Sequence, residues 1–162
     1  MIVSNSSLLW QIRHFVYTHF ADTTLPPSVD DTAAHFNIPT AEAGEYYQEL
    51  HNRHAFFLEP ETLTIRMANP FSGIPTDFKV HANGKTYYAN CAWDMLGIPV
   101  ALHCDAVIEA KFTESNESVR LEIKNGNIAL AAIPGGEDAT LSSLLVHFPL
   151  PFSRWYDDLV FT

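Results

Sequence analysis

Residues 78–99 have the sequence FKVHANGKTYYANCAWDMLGIP, which holds a predicted β-hairpin followed directly by a predicted helix. Asn83 and Gly84 separate two strand-like segments, 78–82 and 85–89. An Asn-Gly pair between two such segments is the strongest short-range signal for a tight hairpin turn. The hairpin is therefore expected to carry the chain straight into the residues that follow Ala89.

The helix after the hairpin is predicted from its two ends. Asn90 is a favourable N-cap residue, and Gly97 together with Pro99 forms a stop signal. Between them lie good helix formers, Ala92, Met95 and Leu96. We therefore expect a short helix that begins after Asn90 and ends near Gly97.

Cys91 and Asp94 are the residues of this helix that favour chemistry. Side chains three residues apart lie on one helix face, so the thiol and the carboxyl group are expected to be neighbours. The helix dipole lowers the pKa of a thiol in the first turn, but a nearby carboxylate opposes its ionisation. A proton shared between the two groups is therefore an expected resting state. The alternative is a buried structural cysteine beside a solvated or capping aspartate.

Composition narrows the classes of protein that the chain can represent. Its 162 residues suit one domain, or one domain with a small appended module. The excess of 19 acidic over 9 basic residues gives a formal charge of −10, which argues against nucleic-acid and anionic-membrane partners. The start of the chain does not resemble a signal peptide, and no apolar stretch approaches the roughly 20 residues that span a bilayer. Cys91 and Cys104 make no disulfide framework, although a single bridge between them stays open, and we expect a reducing cytoplasm.

The first third of the chain is predicted to be mostly helical. Apolar residues recur at helical spacing, Ser28 with Asp31 forms a capping-box signal, and Thr40 begins another periodic segment. These signals predict three helices and then two short strands, at residues 6–20, 29–36, 40–52, 56–58 and 63–67.

Three helices followed by a two-stranded wing is the arrangement of a winged helix. The segment that would read DNA carries Glu42, Glu45 and Glu49, and residues 1–70 contain only three basic side chains, Arg13, Arg53 and Arg66. Reading DNA requires amide or cationic side chains toward bases and cations toward phosphates. A DNA-binding regulator is therefore the least favoured hypothesis, and a structural or covering role for this module is preferred.

The rest of the chain is predicted to form a sheet. A loop rich in Pro and Gly follows Ala68, so we place a module boundary between residues 1–68 and 69–162. Further strands are predicted at residues 106–112, 119–124, 128–133 and 144–148, with a final short helix at 153–159. The predicted fold class is α+β, with an N-terminal three-helix winged-helix-like module followed by a mostly antiparallel mixed sheet core with short helices.

The segment from Asn90 to Pro99 resembles the active-site segment of the alkylmercury lyases, also called organomercurial lyases. The resemblance extends over residues 7–150, and a second contribution comes from Val146-His147-Phe148. The family joins a winged-helix-like module to a mixed sheet core. It cleaves carbon–mercury bonds by protonolysis, with two cysteine thiolates that hold mercury and an aspartic acid that supplies the proton. The resemblance implies that Cys91 is a mercury ligand and Asp94 the proton donor, in agreement with the affinity of soft metals for thiolates.

The chain departs from the family at the second cysteine. The corresponding position, counted back from His147, is Ser143, with Ser142 beside it, and no cysteine follows Cys104. A serine hydroxyl is a hard ligand and cannot replace a thiolate on mercury. Cys104 or an exogenous thiol such as glutathione are the alternatives for the second ligand.

Other reactive side chains have simpler interpretations. His51 and His54 are three residues apart on one predicted helix, but no third ligand lies near them, so a solvated helix end is expected. In the run His103-Cys104-Asp105, read as a strand, Cys104 would face away from its two neighbours. His147 is expected to be a hydrogen-bonded core residue.

Three hypotheses follow. The preferred one is an alkylmercury lyase-like enzyme, with full, reduced or altered activity toward a small organometal, which needs no cofactor. The second is a non-catalytic protein on the same scaffold that binds a thiophilic metal ion or a small ligand, and the third is the winged-helix regulator. The sequence does not specify an oligomeric state.

Overall fold

The computed structural model describes residues 6–112, 115–132, 145–148 and 150–155. Three helices come first, α1 (Ser6–Thr23), α2 (Val29–Phe36) and α3 (Thr40–Asn52), as predicted, with α1 extending past residue 20. Ser28 caps α2 in the predicted capping box: its hydroxyl accepts from the Asp31 N–H at 3.0 Å, and the Asp31 carboxylate accepts from the Ser28 N–H at 2.9 Å. The helix ends at Asn37, whose φ of 52° is left-handed.

The inner face of α1 supplies one part of the core. It buries four apolar side chains completely at three- and four-residue spacing, Leu9, Ile12, Val16 and Phe20. Phe20 also stacks on Phe71, with ring centroids 5.4 Å apart. This contact joins the helical region to the sheets that follow.

A small antiparallel sheet lies across the predicted module boundary. Its strands are β1 (Phe57–Leu58), β2 (Ile65–Ala68) and β3 (Phe71–Ser72), in that order. β3 falls in the segment that was predicted to be a loop. Gly73, directly after β3, lies against the backbone of β2. An added Cβ would be 2.2 Å from the Ile65 carbonyl oxygen, so this position requires glycine.

The larger sheet contains the predicted hairpin. Its strands are β4 (Lys79–Ala82), β5 (Lys85–Tyr88), β6 (Ala106–Lys111), β7 (Ser118–Lys124) and β8 (Asn127–Ala132), ordered β5-β4-β6-β7-β8. Every pair among these described strands is antiparallel, so the parallel component of the predicted mixed sheet is not present in this part of the chain. Asn83 and Gly84 both have positive φ, 52° and 73°, as an Asn-Gly hairpin turn requires.

The helix after β5 differs from its prediction at both ends. Helix α4 (Ala92–Leu102) has Cys91, not Asn90, as its N-cap, and it continues through Gly97 and Pro99. Proline removes one helical hydrogen bond, but Ile98 and Pro99 are buried, and their packing holds the helix together. Gly97 lets the helix approach Pro70, because a Cβ there would lie 3.3 Å from the Pro70 Cβ.

Two predictions near the C-terminus do not match the structure. Residues 145–148 form no strand, and Leu145 is 87% exposed, so this apolar run does not join a sheet. Phe152–Arg154 forms a 3₁₀ turn in place of the start of the predicted helix, whose remaining positions from 156 onward lie outside the described residues.

In the described segments, no helix is both long and apolar enough to cross a membrane.

Candidate active site at the start of helix α4

Cys91 lies where the hairpin meets α4. The preceding Ala89 is fully buried and forms a bridge with Phe71 of β3, which anchors the entry to the helix. Cys91 itself has extended backbone angles, φ −155° and ψ 179°, and its half-buried side chain makes no regular capping hydrogen bond. The thiol therefore lies at the helix N-terminus without serving as a regular side-chain cap.

The pKa of Cys91 is raised, against the direction expected from the helix dipole. Burial is the largest cause, and the negative charge of Asp94 adds to it. The thiol also donates a hydrogen bond to the Asp94 carboxylate, which further favours the protonated form, whereas the backbone N–H groups of Trp93 and Asp94 act in the opposite direction. Desolvation and the neighbouring acid outweigh the helix terminus, so the resting sulfur carries its proton.

Asp94 is the acid of the pair. Burial raises its pKa, while hydrogen bonds from Asn90 and Cys91 lower it. The predicted neighbour relation between the thiol and the carboxyl group is thus present in the fold. Each group therefore raises or modulates the pKa of the other, and both are half-buried.

Asn90 has a different role from the predicted N-cap. Its Nδ2 donates to Asp94 Oδ2 at 2.9 Å, and it also lies 3.1 Å from Asn69 Oδ1 and 3.2 Å from the Phe71 carbonyl oxygen. An amide group has two hydrogens, so the three acceptors share them. Its Oδ1 is buried and has no hydrogen-bond partner among the described residues. Asn90 therefore connects the acid of α4 to the loop before β3, a role that the local sequence signal did not reveal.

Helix α1 lies on the other side of the acid. Tyr17 has a pKa raised by burial and lowered by Arg13, and the charge of Asp94 is near enough to raise it further. The Tyr17 hydroxyl donates to the Ala55 carbonyl at 2.9 Å, and the Arg13 guanidinium lies 4.5 Å from the centre of the Tyr17 ring. Tyr17 of α1 is therefore within electrostatic range of Asp94.

Trp93 lies between Cys91 and Asp94 in the chain, and its side chain is 57% exposed. Its ring meets Phe148 edge to face at 5.9 Å, and Phe148 stacks on Trp155 at 5.5 Å. The C-terminal segment therefore approaches the active-site end of α4.

Cys104 does not join Cys91. Both thiols are free, and they lie beyond opposite ends of the 11-residue helix α4. At 1.5 Å per residue the helix alone spans about 16 Å, far more than one metal ion or one disulfide can bridge. The predicted alternatives of a Cys91–Cys104 bridge and of Cys104 as the second ligand are therefore ruled out by the helix between them. Ser143, which the resemblance assigns to the position of the second family cysteine, lies outside the described residues.

The remaining candidates are structural in the described part of the chain. His51 accepts the Leu58 N–H at 3.2 Å, and no group of three His, Cys, Asp or Glu side chains there has metal-binding geometry. The run from His103 is not a strand as predicted: His103 ends α4 with φ 50°, and Asp105 accepts the Asn125 N–H at 2.8 Å. His147 is exposed and does not belong to the core.

Together these features define an α+β protein in which three helices precede antiparallel sheets and a thiol–carboxyl pair begins a short helix. The model of the family "MerB: Alkylmercury lyase" matches residues 71–155, which is more than half of the chain and includes Cys91 and Asp94. The chain belongs to the alkylmercury lyase family.

A solved structure supports the fold independently. The chain is similar to the protein in "Crystal structure of the mercury-bound form of MerB2", with a TM-score of 0.64 and 23% sequence identity. The match covers 78% of this chain and 60% of that one, so this chain spans less than two thirds of the relative's length. No curated protein matches the sequence.

Proposed function

We propose that the protein cleaves a carbon–mercury bond by protonolysis, with Cys91 as the thiolate that binds mercury and Asp94 as the proton donor. The observation that carries this proposal is that Cys91 and Asp94 are electrostatic neighbours at the start of α4, both half-buried, with Asp94 accepting the Asn90 Nδ2–H at 2.9 Å. A soft ligand beside a half-buried acid supports proton delivery to a group bound at the sulfur. Membership of the alkylmercury lyase family supports the same chemistry.

The reaction begins with exchange at mercury. The organomercury ion arrives with a displaceable ligand, the Cys91 sulfur forms a bond to mercury, and that ligand leaves. The thiol proton passes to the Asp94 carboxylate along the existing hydrogen bond. Mercury stays in the +2 state, since no electron leaves or enters the complex.

Cleavage is then a proton transfer to carbon. Asp94 delivers its proton, the electron pair of the carbon–mercury bond forms the new carbon–hydrogen bond, and the hydrocarbon leaves. Asp94 becomes a carboxylate again, and mercury(II) remains on Cys91. Burial favours the protonated acid before this step, and the N–H of Asn90 stabilises the carboxylate formed by it.

Release of mercury(II) requires further thiolates. The family's second cysteine position is Ser143 in this chain, and a hydroxyl is a poor ligand for mercury. Cys104 is beyond the other end of α4. We therefore propose that two exogenous thiolates, such as glutathione, take mercury from Cys91, and that no resident cofactor takes part.

The test is the release of inorganic mercury from phenylmercury and methylmercury in excess glutathione. We expect turnover by the wild-type protein and by Cys104→Ala, and none by Cys91→Ala. Equal rates for Cys91→Ala and wild type would reject the proposal. Circular dichroism spectra of both variants provide the control for folding.

A second function is favoured by the missing cysteine. Without a second protein thiolate, the chain is also suited to hold a thiophilic metal or organometal at Cys91 without cleaving it. Binding of one equivalent of phenylmercury with no hydrocarbon formed, even in excess glutathione, would support this binding protein over the lyase.

A further inference from the structure

We propose that Asn90 is a positioning residue that makes Asp94 release its proton from Oδ1, the carboxyl oxygen that Asn90 does not bind. The inference rests on the proposed role of Asp94 as the proton donor, and it assigns that role to one oxygen of the group. Its basis is the arrangement of three hydrogen-bond acceptors around one amide nitrogen.

The first step is the direction in which the Asn90 amide points. Its Nδ2 lies 2.9 Å from Asp94 Oδ2, 3.1 Å from Asn69 Oδ1 and 3.2 Å from the Phe71 carbonyl oxygen. A backbone carbonyl can only accept a hydrogen bond, so the side of the amide that faces Phe71 must be the one that donates. The same holds for the ionised Asp94 carboxylate. Asn90 is therefore a donor toward Asp94.

The second step is that this direction is kept although it leaves another atom unsatisfied. Asn90 Oδ1 is buried and has no hydrogen-bond partner among the described residues. A buried acceptor without a partner is destabilising. Reversal of the amide would not relieve this, because Oδ1 would then face the Phe71 carbonyl oxygen, which has no hydrogen to give.

The third step is the rigidity of the acceptor that fixes the amide. Phe71 is buried, forms a bridge with Ala89 just before Asn90, and stacks on Phe20 with ring centroids 5.4 Å apart. Its carbonyl oxygen is therefore held in place by the strand and the core. Asn69 is exposed and adds a second acceptor, which the amide does not need in order to keep its direction.

The last step concerns the two oxygens of Asp94. Burial raises the pKa of this carboxyl group and so favours its neutral form. In a neutral carboxyl group the carbonyl oxygen is the stronger acceptor, and the hydroxyl oxygen carries the proton. The Asn90 N–H at 2.9 Å therefore makes Oδ2 the carbonyl oxygen and leaves the proton on Oδ1. Since Asn90 has no acceptor to offer on this side, the proton is directed to another group.

Infrared spectroscopy can observe the neutral carboxyl group directly. The spectrum of the wild type minus that of Asp94→Asn, recorded as the pH is lowered, isolates the C=O stretching band of Asp94. We expect this band at the lower wavenumber of a hydrogen-bonded carbonyl group. In Asn90→Ala, referred to the double variant that also carries Asp94→Asn, the band should shift to higher wavenumber. The hydrogen bond from Asn90 also lowers the pKa of Asp94, so the pH at which the band is half-developed should rise in Asn90→Ala.

Asn69→Ala is the matched control. It removes the 3.1 Å contact and leaves the Phe71 carbonyl to hold the Asn90 amide, so its band and its titration midpoint should equal those of the wild type. Circular dichroism checks the folding of each variant. If Asn90→Ala does not fold, the wild-type spectrum decides alone, because a band at the wavenumber of a free carbonyl group would overturn the inference.

These measurements are independent of the proposed lyase activity. A hydrogen-bonded band in a wild-type protein that releases no mercury from phenylmercury in excess glutathione would reject the lyase and keep the assignment of the proton to Oδ1. Turnover by the wild type, with the same band and the same midpoint in Asn90→Ala, would overturn the role of Asn90 and leave the proposed function in place.

Discussion

Each end of α4 has a cysteine with an aspartate near it, but the contacts of the two aspartates differ. Cys91 precedes the helix with Asp94 near it, and Cys104 follows the helix with Asp105 beside it. Burial is the largest cause of a raised pKa at both thiols, and an aspartate adds to it at each. A raised thiol pKa is therefore not what distinguishes a reactive site here.

The difference lies in what the aspartates bind. Asp94 is half-buried, accepts the thiol hydrogen bond and is connected through Asn90 to a second segment. Asp105 is exposed, and its carboxylate accepts the Asn125 N–H, which holds the turn between β7 and β8. The first acid is therefore the one that the proposed reaction uses, whereas the second accepts a backbone N–H. Chemistry follows from the partners of a group and its burial, not from residue type alone.

The largest expected effect comes from exchanging the acids for amides. Asp94→Asn removes the proposed proton donor and should lower the rate of mercury release by roughly 10²- to 10⁴-fold. Asp105→Asn should leave the rate within about twofold, because its group does not meet the substrate. The measurement is hydrocarbon formation from phenylmercury in excess glutathione. An equal fall in the rate of hydrocarbon formation in the two variants would mean that the two ends of α4 do not differ in function.

Asn90→Ala should give the next largest effect. It deletes the 2.9 Å hydrogen bond to Asp94, which stabilises the carboxylate formed during proton transfer, so kcat should fall roughly tenfold with little change in KM. Asn69→Ala is the control, since it removes a different contact of the same amide, 3.1 Å long, and leaves Asp94 bound. A fall in kcat of the same size in Asn69→Ala would mean that Asn90 acts by holding the loop before β3 and not by stabilising the Asp94 carboxylate.

The alkylation rates of the two thiols should change by a smaller factor than the rates of turnover above. Asp94→Asn removes a negative charge that raises the pKa of Cys91, so the pKa falls and more thiolate is present at any pH below it. Alkylation of Cys91 by iodoacetamide at pH 7 to 8 should then be several-fold faster, about tenfold for each unit by which the pKa falls. Asp105→Asn should change Cys104 in the same direction, because the charge of Asp105 also raises the pKa of that thiol.

Peptide mass spectrometry can follow the two cysteines separately in one sample. Slower alkylation of Cys91 in Asp94→Asn would mean that the carboxylate activates the thiol, opposite to the direction inferred from the structure.

The smallest effect concerns stability. Asp105→Ala removes the acceptor of the Asn125 N–H and should lower the free energy of unfolding by about 1 kcal/mol, or Tm by roughly 2–4 °C. Asp94→Asn should not lower Tm, since it replaces a partly buried ionisable group with a neutral amide. Thermal unfolding followed by circular dichroism measures both. A larger loss in Asp94→Asn than in Asp105→Ala would make Asp94 a structural residue.

Features that depend on neighbouring residues could be predicted from the sequence. The capping box at Ser28, the turn at Asn83-Gly84 and the inner face of α1 all depend on residues within one or two turns of each other. The nearness of Cys91 and Asp94 belongs to the same category, because helix periodicity alone places them together. The resemblance of that segment to the alkylmercury lyases, confirmed by the family match, also needed only neighbouring residues.

Packing decided what local signals could not. Pro99 was expected to help end α4, yet burial of the surrounding apolar residues carries the helix past it. The direction of the Cys91 pKa was set by burial and a carboxylate, which outweighed the helix terminus.

The sequence alone was enough to specify the Asn83-Gly84 turn, the capping box at Ser28 and the adjacent thiol and acid, because these depend on backbone preferences over a few residues. Tertiary structure brought Asn69 and Phe71 to Asn90, and Tyr17 into electrostatic range of Asp94. It also left Cys104 beyond the far end of α4. Such outcomes depend on contacts between distant segments and on the water removed when they pack, and neither is encoded in any short stretch of the chain.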